Sequence, residues 1–133
     1  MIAREMRILV CEDQDAIRSM IETLVSASGH QVTGVATGTK AVELALAQPF
    51  DVLLLDLMLP GTLDGFEVCE RLRADSGTKH LPIFVISAMD DPASRERALG
   101  LGATAFYAKP FSPLALLKEI DALAPTSSRR GGL

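Results

Sequence analysis

The sequence predicts an α/β domain: a doubly wound, five-stranded parallel sheet in the strand order 2-1-3-4-5. Three observations predict it. Short apolar runs, such as Met6-Arg7-Ile8-Leu9-Val10-Cys11 and Val52-Leu53-Leu54-Leu55, are bounded by turn chemistry and do not alternate with polar residues. They read as strands buried on both faces. Segments with apolar residues at helical spacing separate them. Each of four runs also ends on a reactive group: Glu12-Asp13, Asp56, Ser87 and Lys109. Ligands of an open parallel sheet bind in the crevice beyond the carboxyl ends of its strands. Three carboxylates, a hydroxyl and an ammonium are therefore expected at one edge.

The elements follow in order. After the first strand, residues 15–28 carry Ile17, Met20, Ile21, Leu24 and Val25, the stripe of an amphipathic helix, and Gly29 ends it. Residues 31–36 are a second strand, and residues 39–47 a weaker helix closed by Pro49. Asp51-Val52-Leu53-Leu54-Leu55 runs into Asp56 as the third strand. A loop follows, and Asp64-Gly65 caps a helix carrying Val68, Cys69 and Leu72. Pro82-Ile83-Phe84-Val85-Ile86 runs into Ser87. Asp91-Pro92 then joins a capping residue to proline at the first helical position. The helix behind it is short and polar, with only Ala98, Leu99 and Leu101 to anchor it. Thr104-Ala105-Phe106-Tyr107-Ala108 runs into Lys109-Pro110. Ser112-Pro113 opens a last helix that carries Leu116, Leu117, Ile120 and Leu123 and is expected to stop at Pro125. Residues 1–125 thus form one domain, and the polar, glycine-rich residues 126–133 a disordered tail.

Composition narrows the function. The chain has 133 residues, 48% of them hydrophobic, and no tryptophan, so aliphatic side chains must fill the core. A formal net charge of −4 disfavours nucleic acid or an anionic membrane as the main partner. Arg71, Arg73, Lys79 and His80 form a loose basic cluster that reads as a solvated helix end. Cys11 and Cys69 lie far apart and read as small buried hydrophobes, and His30 and His80 as isolated loop residues; none offers a zinc pattern. No apolar run approaches the roughly 20 residues of a membrane span, and no signal peptide is evident. A reduced, cytoplasmic protein is expected.

The order 2-1-3-4-5 sets the first and third strands side by side, so Glu12, Asp13 and Asp56 meet. Two carboxylates about 4 Å apart repel by roughly 4 kcal/mol at an effective dielectric near 20. Three of them need a cation, and Mg²⁺ suits them, being hard, oxygen-seeking and able to share a phosphate. With Lys109 the site then sums to about zero charge. That division of labour suits phosphoryl transfer, for which an aspartate can be the nucleophile.

Taken together, Glu12-Asp13, Asp56 with Leu59-Pro60 and Asp64-Gly65, Ile86-Ser87-Ala88 and Lys109-Pro110-Phe111 resemble the receiver (response-regulator) domain of bacterial two-component signalling, over residues 7–123. The resemblance implies a flavodoxin-like (βα)5 fold. It implies that Asp56 accepts a phosphoryl group from a histidine kinase's phosphohistidine, or from a phosphotransfer protein. Asp13, Asp56 and the Met58 carbonyl would ligate Mg²⁺, and Glu12 would act through water. Ser87 is similar to the hydroxyl that binds the phosphoryl group, and Lys109 to the ion-pairing lysine, with Pro110 behind a cis peptide. Phe106 falls at the switch-aromatic position. Met58 and Met89 stand two past the acceptor and two past the hydroxyl, positions that tune self-dephosphorylation. Two departures are visible: the loop from Asp56 to Asp64 is one residue longer than usual, and the aromatic is phenylalanine where tyrosine is commoner.

Other readings are weaker. A phosphatase of related arrangement would place a second aspartate where Met58 stands. A phosphorylation-independent module on this fold would be expected to lose the acidic pair, the acceptor or the lysine. Flavin is disfavoured because three carboxylates would repel its phosphate. The expectation is therefore a phosphoacceptor switch, not a turnover enzyme. It is expected to be a monomer or weak homodimer that signals to a protein target through the fourth helix, fifth strand and fifth helix. A stand-alone receiver and one cut from a longer regulator or hybrid kinase both fit.

Overall fold

A computed structural model describes residues 5–132 of the chain, with side chains described for residues 5–123. Strands and helices alternate throughout: β1 (Arg7–Cys11), α1 (Asp15–Ala27), β2 (Gln31–Val35), α2 (Gly38–Ala47), β3 (Val52–Leu55), α3 (Gly65–Ala74), β4 (Ile83–Ser87), α4 (Pro92–Gly100), β5 (Ala105–Ala108) and α5 (Pro113–Gly132). The strands pair in parallel in the order β2-β1-β3-β4-β5, as expected.

The continuous apolar runs are explained by the two sheet faces. Successive strand residues point to opposite sides. Leu9, Leu53, Leu55 and Val85 pack with Ala41, Val68 and Leu72 of α2 and α3. Ile8, Val10, Leu54 and Ile86 pack with Ile21, Val25, Leu116 and Ile120 of α1 and α5. Both faces are therefore dry at β1, β3 and β4, whereas every residue of the edge strand β5 is only half-buried.

Side chains fix the ends of the elements. Asp51 accepts the Arg7 amide at 2.8 Å and Thr104 Oγ1 the Ile83 amide at 3.0 Å, which sets the register where β1 and β4 begin. Asp64 and Glu67 form a reciprocal capping box on α3. Asp91 caps α4 through the Ser94 amide, and Ser112 Oγ accepts the Ala115 amide in the first turn of α5. Gly29, at φ 93°, turns the chain after α1.

Three local readings are revised. The α5 backbone runs on through Pro125: proline removes one helical hydrogen bond, but its own φ is a helical value. Residues 126–132, expected as a disordered tail, are described as backbone of α5, while side chains past Leu123 and the whole of residue 133 lie outside the described residues. His30 is no free loop residue. It is buried, its Nδ1 accepts the Met6 amide at 3.1 Å, and its Nε2 faces Asp121 Oδ1 at 3.1 Å. Since an amide can only donate, Nε2 carries the proton and the ring straps β1 to α5.

Arg73, read from the sequence as part of a solvated helix end, is instead a staple. Its Nε and Nη2 donate to the Gly102 carbonyl at 2.9 and 2.7 Å, and its Nη1 to the Thr78 carbonyl at 3.2 Å. These bonds tie the end of α3 to the turns before β4 and β5. Arg73→Ala is expected to cost about 1.5 kcal/mol of stability, the lower range for hydrogen bonds to a charged group. Urea denaturation checks it; an unchanged midpoint would mean that water replaces the guanidinium without loss.

Among the described residues, no helix is long and apolar enough to cross a membrane.

Candidate functional site

The carboxyl ends of β1, β3, β4 and β5 carry the polar set. Glu12 and Asp13 follow β1, Asp56 follows β3, Ser87 ends β4, and Lys109 follows β5. Among the described residues, oxygens of Glu12, Asp13 and Asp56 all lie within 4.8 Å of one another. Their setting differs: Glu12 and Asp56 are buried, at 2% and 5% exposure, whereas Asp13 is exposed.

Backbone and side-chain bonds fix each group. Glu12 Oε2 accepts the Gln14 amide at 3.1 Å, and its carbonyl accepts Arg18 Nη1 at 2.9 Å. Asp56 Oδ1 accepts the Met58 amide at 3.2 Å. Ser87 Oγ accepts the Met89 amide at 3.0 Å, and the Ser87 carbonyl accepts the Lys109 amide at 2.9 Å. The Lys109–Pro110 peptide is cis, as the resemblance implies.

Lys109 is the only cation bonded to this carboxylate set among the described residues. Its Nζ donates to Glu12 Oε1 at 2.7 Å and to Asp56 Oδ2 at 3.2 Å. Burial opposes its charge, but the hydrogen bond to Glu12 and the Asp56 charge outweigh burial and hold the ammonium above the ordinary lysine range. The same pocket acts on Cys11 beneath it. Burial first, then the charges of Asp56, Glu12 and Asp13, push that thiol up to about 12, so it remains protonated and inert. Cys11 and Cys69 are both buried and free, as expected of small core residues.

Three carboxylates facing one ammonium leave an anionic pocket of hard oxygen donors, two of them desolvated. This donor set fits a small divalent cation such as Mg²⁺ better than zinc, which favours nitrogen and sulfur.

The other expected residues fall around this centre. Met58 sits in the β3–α3 loop with 55% of its surface exposed. Met89 is partly buried, and its side chain packs on the core under α2, α3 and α4. Phe106, paired with Val85 across the sheet, faces that same core, half-buried, with the Arg95 guanidinium 4.7 Å from its ring centroid. The longer loop after Asp56 folds Leu63 inward, to 8% exposure.

Two positioning residues were not identified from the sequence. Arg18 braces the Glu12 backbone from the first turn of α1, where it also pairs with Asp15; its i+3 spacing from Asp15 was the available clue. From the sequence, Gly65 reads as part of a cap and of the receiver motif, without its packing role. A Cβ there would meet the Asp56 carbonyl oxygen at 2.4 Å, so only glycine lets α3 begin against the acceptor's backbone.

Comparison with known proteins agrees with this geometry. The model of the response regulator receiver domain matches residues 8–121. The response regulator PleD of Caulobacter vibrioides is 35% identical over 117 residues, which are 88% of this chain and 26% of PleD. The transcriptional regulatory protein GltR of Pseudomonas aeruginosa is 36% identical over 135 residues, 99% of this chain and 55% of GltR. The chain thus spans about a quarter to about half of these relatives. A receiver domain from a sensor histidine kinase of Pseudomonas aeruginosa, with a magnesium ion coordinated in its active-site cleft, superposes with a TM-score of 0.83 at 31% identity, covering 92% of this chain and 99% of that one.

Proposed function

Because the chain belongs to the response regulator receiver domain family, we propose that it is a phosphorylation-controlled switch in which Asp56 takes a phosphoryl group from the phosphohistidine of a histidine kinase or phosphotransfer protein. One observation carries this reading: a buried strand-end carboxylate, Asp56, held between a second buried carboxylate and a shared ammonium. An Asp56 oxygen attacks phosphorus, the P–N bond breaks, and the imidazole leaves with a proton from solvent. The product is an acyl phosphate.

Asp13 and Asp56, with the Met58 carbonyl and with Glu12 through water, are the residues that would hold Mg²⁺. The bound ion would neutralise carboxylate and phosphoryl charge. Lys109 pairs with the incoming anion, and the Ser87 hydroxyl, fixed by the Met89 amide, turns toward it. The resulting pull on β4 is relayed through Phe106 to a protein target at the face of α4, β5 and α5. In this reading the domain assists its own phosphorylation and slow dephosphorylation and is not a turnover enzyme. It acts in the cytoplasm as a monomer or weak homodimer, without nucleic acid as a direct partner of this domain.

Incubation with a small phosphodonor and Mg²⁺ is expected to add the mass of one phosphoryl group to the intact protein, and excess chelator to prevent it. Intact-mass spectrometry with no adduct in the presence of Mg²⁺ would sink the reading.

A further inference from the structure

α4 is held in a way its hydrophobicity does not explain. Only Ser94 and Ala98, one turn apart, are buried on it, and Leu99 is exposed. So thin an apolar stripe gives a helix little hold on a sheet. Besides Ala98 and the partly buried Leu101 just past its end, two arginines, both solvent-exposed, reach rings on neighbouring elements. Arg95 places its guanidinium 4.7 Å from the ring centroid of Phe106 on β5. Arg97 places its own 3.9 Å from the ring centroid of Phe66 on α3. The helix is thus pinned to a neighbour on each side, by guanidinium faces on aromatic rings.

The ring under Arg95 is placed to matter. Phe106 and Ser87 lie on the same face of adjacent strands: Phe106 pairs with Val85, and Ser87 pairs with Ala108. Val85 and Ala108 are the same-face residues of β4 and β5 between Phe106 and the strand end that carries the hydroxyl. An inward shift of the ring toward Ser87 withdraws it from the Arg95 guanidinium unless that side chain or α4 follows.

We propose that Arg95 and Arg97 form a two-point arginine–aromatic clamp that sets the resting position of α4, with Arg95 the positioning residue that opposes movement of Phe106 when Asp56 is phosphorylated. The coupling to Asp56 rests on the phosphoacceptor reading; the clamp itself does not. Because the clamp works against the activated state, releasing it lowers the work the phosphoryl group must do.

Two measurements test this. The chain has no tryptophan, so Phe106→Trp introduces a single indole reporter at the clamp. Acrylamide quenching of that indole in metal-free protein is expected to rise about twofold when Arg95→Ala is added, with Arg95→Lys in between. Equal quenching in all three proteins would overturn the clamp. The second measurement is the apparent affinity for beryllofluoride with Mg²⁺, followed by the melting temperature. Arg95→Ala is expected to tighten binding about threefold where Phe106 is present and to leave it unchanged in a Phe106→Leu background, the scale of one exposed cation–π contact. The same change in both backgrounds would show a long-range charge effect and overturn the positioning role. If the parent protein binds no beryllofluoride, the phosphoacceptor reading fails and the coupling with it, while the quenching result still decides the clamp.

Discussion

Asp56→Asn is expected to abolish phosphoryl uptake from a small donor and, in metal-free buffer, to make the protein more stable. The first effect follows from chemistry: the amide is no nucleophile toward phosphorus, and the remaining carboxylates are Glu12, committed to Lys109, and the exposed Asp13. The second follows from charge. Asp56 is buried beside two carboxylates and shares one ammonium with Glu12, which holds the shorter bond, 2.7 Å against 3.2 Å. Neutralising Asp56 removes two repulsions and one weaker attraction, and also the penalty for burying an ion. The expected gain is about 1 kcal/mol, or roughly 3–5 °C in the thermal midpoint for a domain of this size. Saturating Mg²⁺ should shrink or reverse the difference, because the parent then has its repulsion relieved. Calorimetry with and without Mg²⁺ tests the charge argument: a lower midpoint for metal-free Asp56→Asn would mean that Lys109 already neutralises the pocket. Uptake that survives the substitution would place the acceptor elsewhere.

The convergence of Glu12, Asp13, Asp56 and Lys109 was legible in the sequence because parallel sheets convert strand-end positions into proximity without any detail of side-chain packing. Glu12 and Asp56 close runs whose burial on both faces is visible as unbroken apolar sequence, and Lys109 closes the half-buried edge strand β5. The caps at Asp64 and Asp91 were legible for a similar reason: they depend on residues three positions apart. What could not be read was every long-range contact made by a polar side chain to backbone or to a ring. His30 reaches Met6, 24 residues away, and Arg73 reaches Gly102, 29 residues away. Nothing local marks either residue. The polar, thinly anchored character of α4 was legible, and both its arginines are exposed; what could not be read is that each guanidinium lies on an aromatic face contributed by another element. Gly65 shows a subtler loss. Its place beside a capping aspartate suffices to explain a glycine, which hid the close approach to the Asp56 carbonyl.

The phosphorylated state is expected to be long-lived, and replacing Met58 with asparagine and Met89 with glutamate is expected to shorten it roughly tenfold or more, equivalent to only about 1.4 kcal/mol of barrier. Hydrolysis of an acyl phosphate needs a water held in line with the bond that breaks. The amides of both methionines are anchored to the site itself, Met58 on Asp56 Oδ1 and Met89 on Ser87 Oγ, so their side chains leave the backbone at its rim. Neither thioether can act as a base or orient a water with a strong hydrogen bond. Their placement divides the effect unequally. Met89 packs on the core and is already partly withdrawn from solvent. Met58 is 55% exposed and belongs to neither apolar core cluster among the described residues, so it is the side chain placed to lie across the mouth. Met58→Asn alone should therefore recover most of the acceleration, by opening the approach and supplying an amide that can hold water. Met89→Glu should add less, since its carboxylate must first leave the apolar contacts the methionine makes. Phosphate release after removal of excess donor, followed by intact mass, separates the two. An unchanged lifetime in the double variant would mean that access of water is set by the backbone of the loop after Asp56 and not by these side chains.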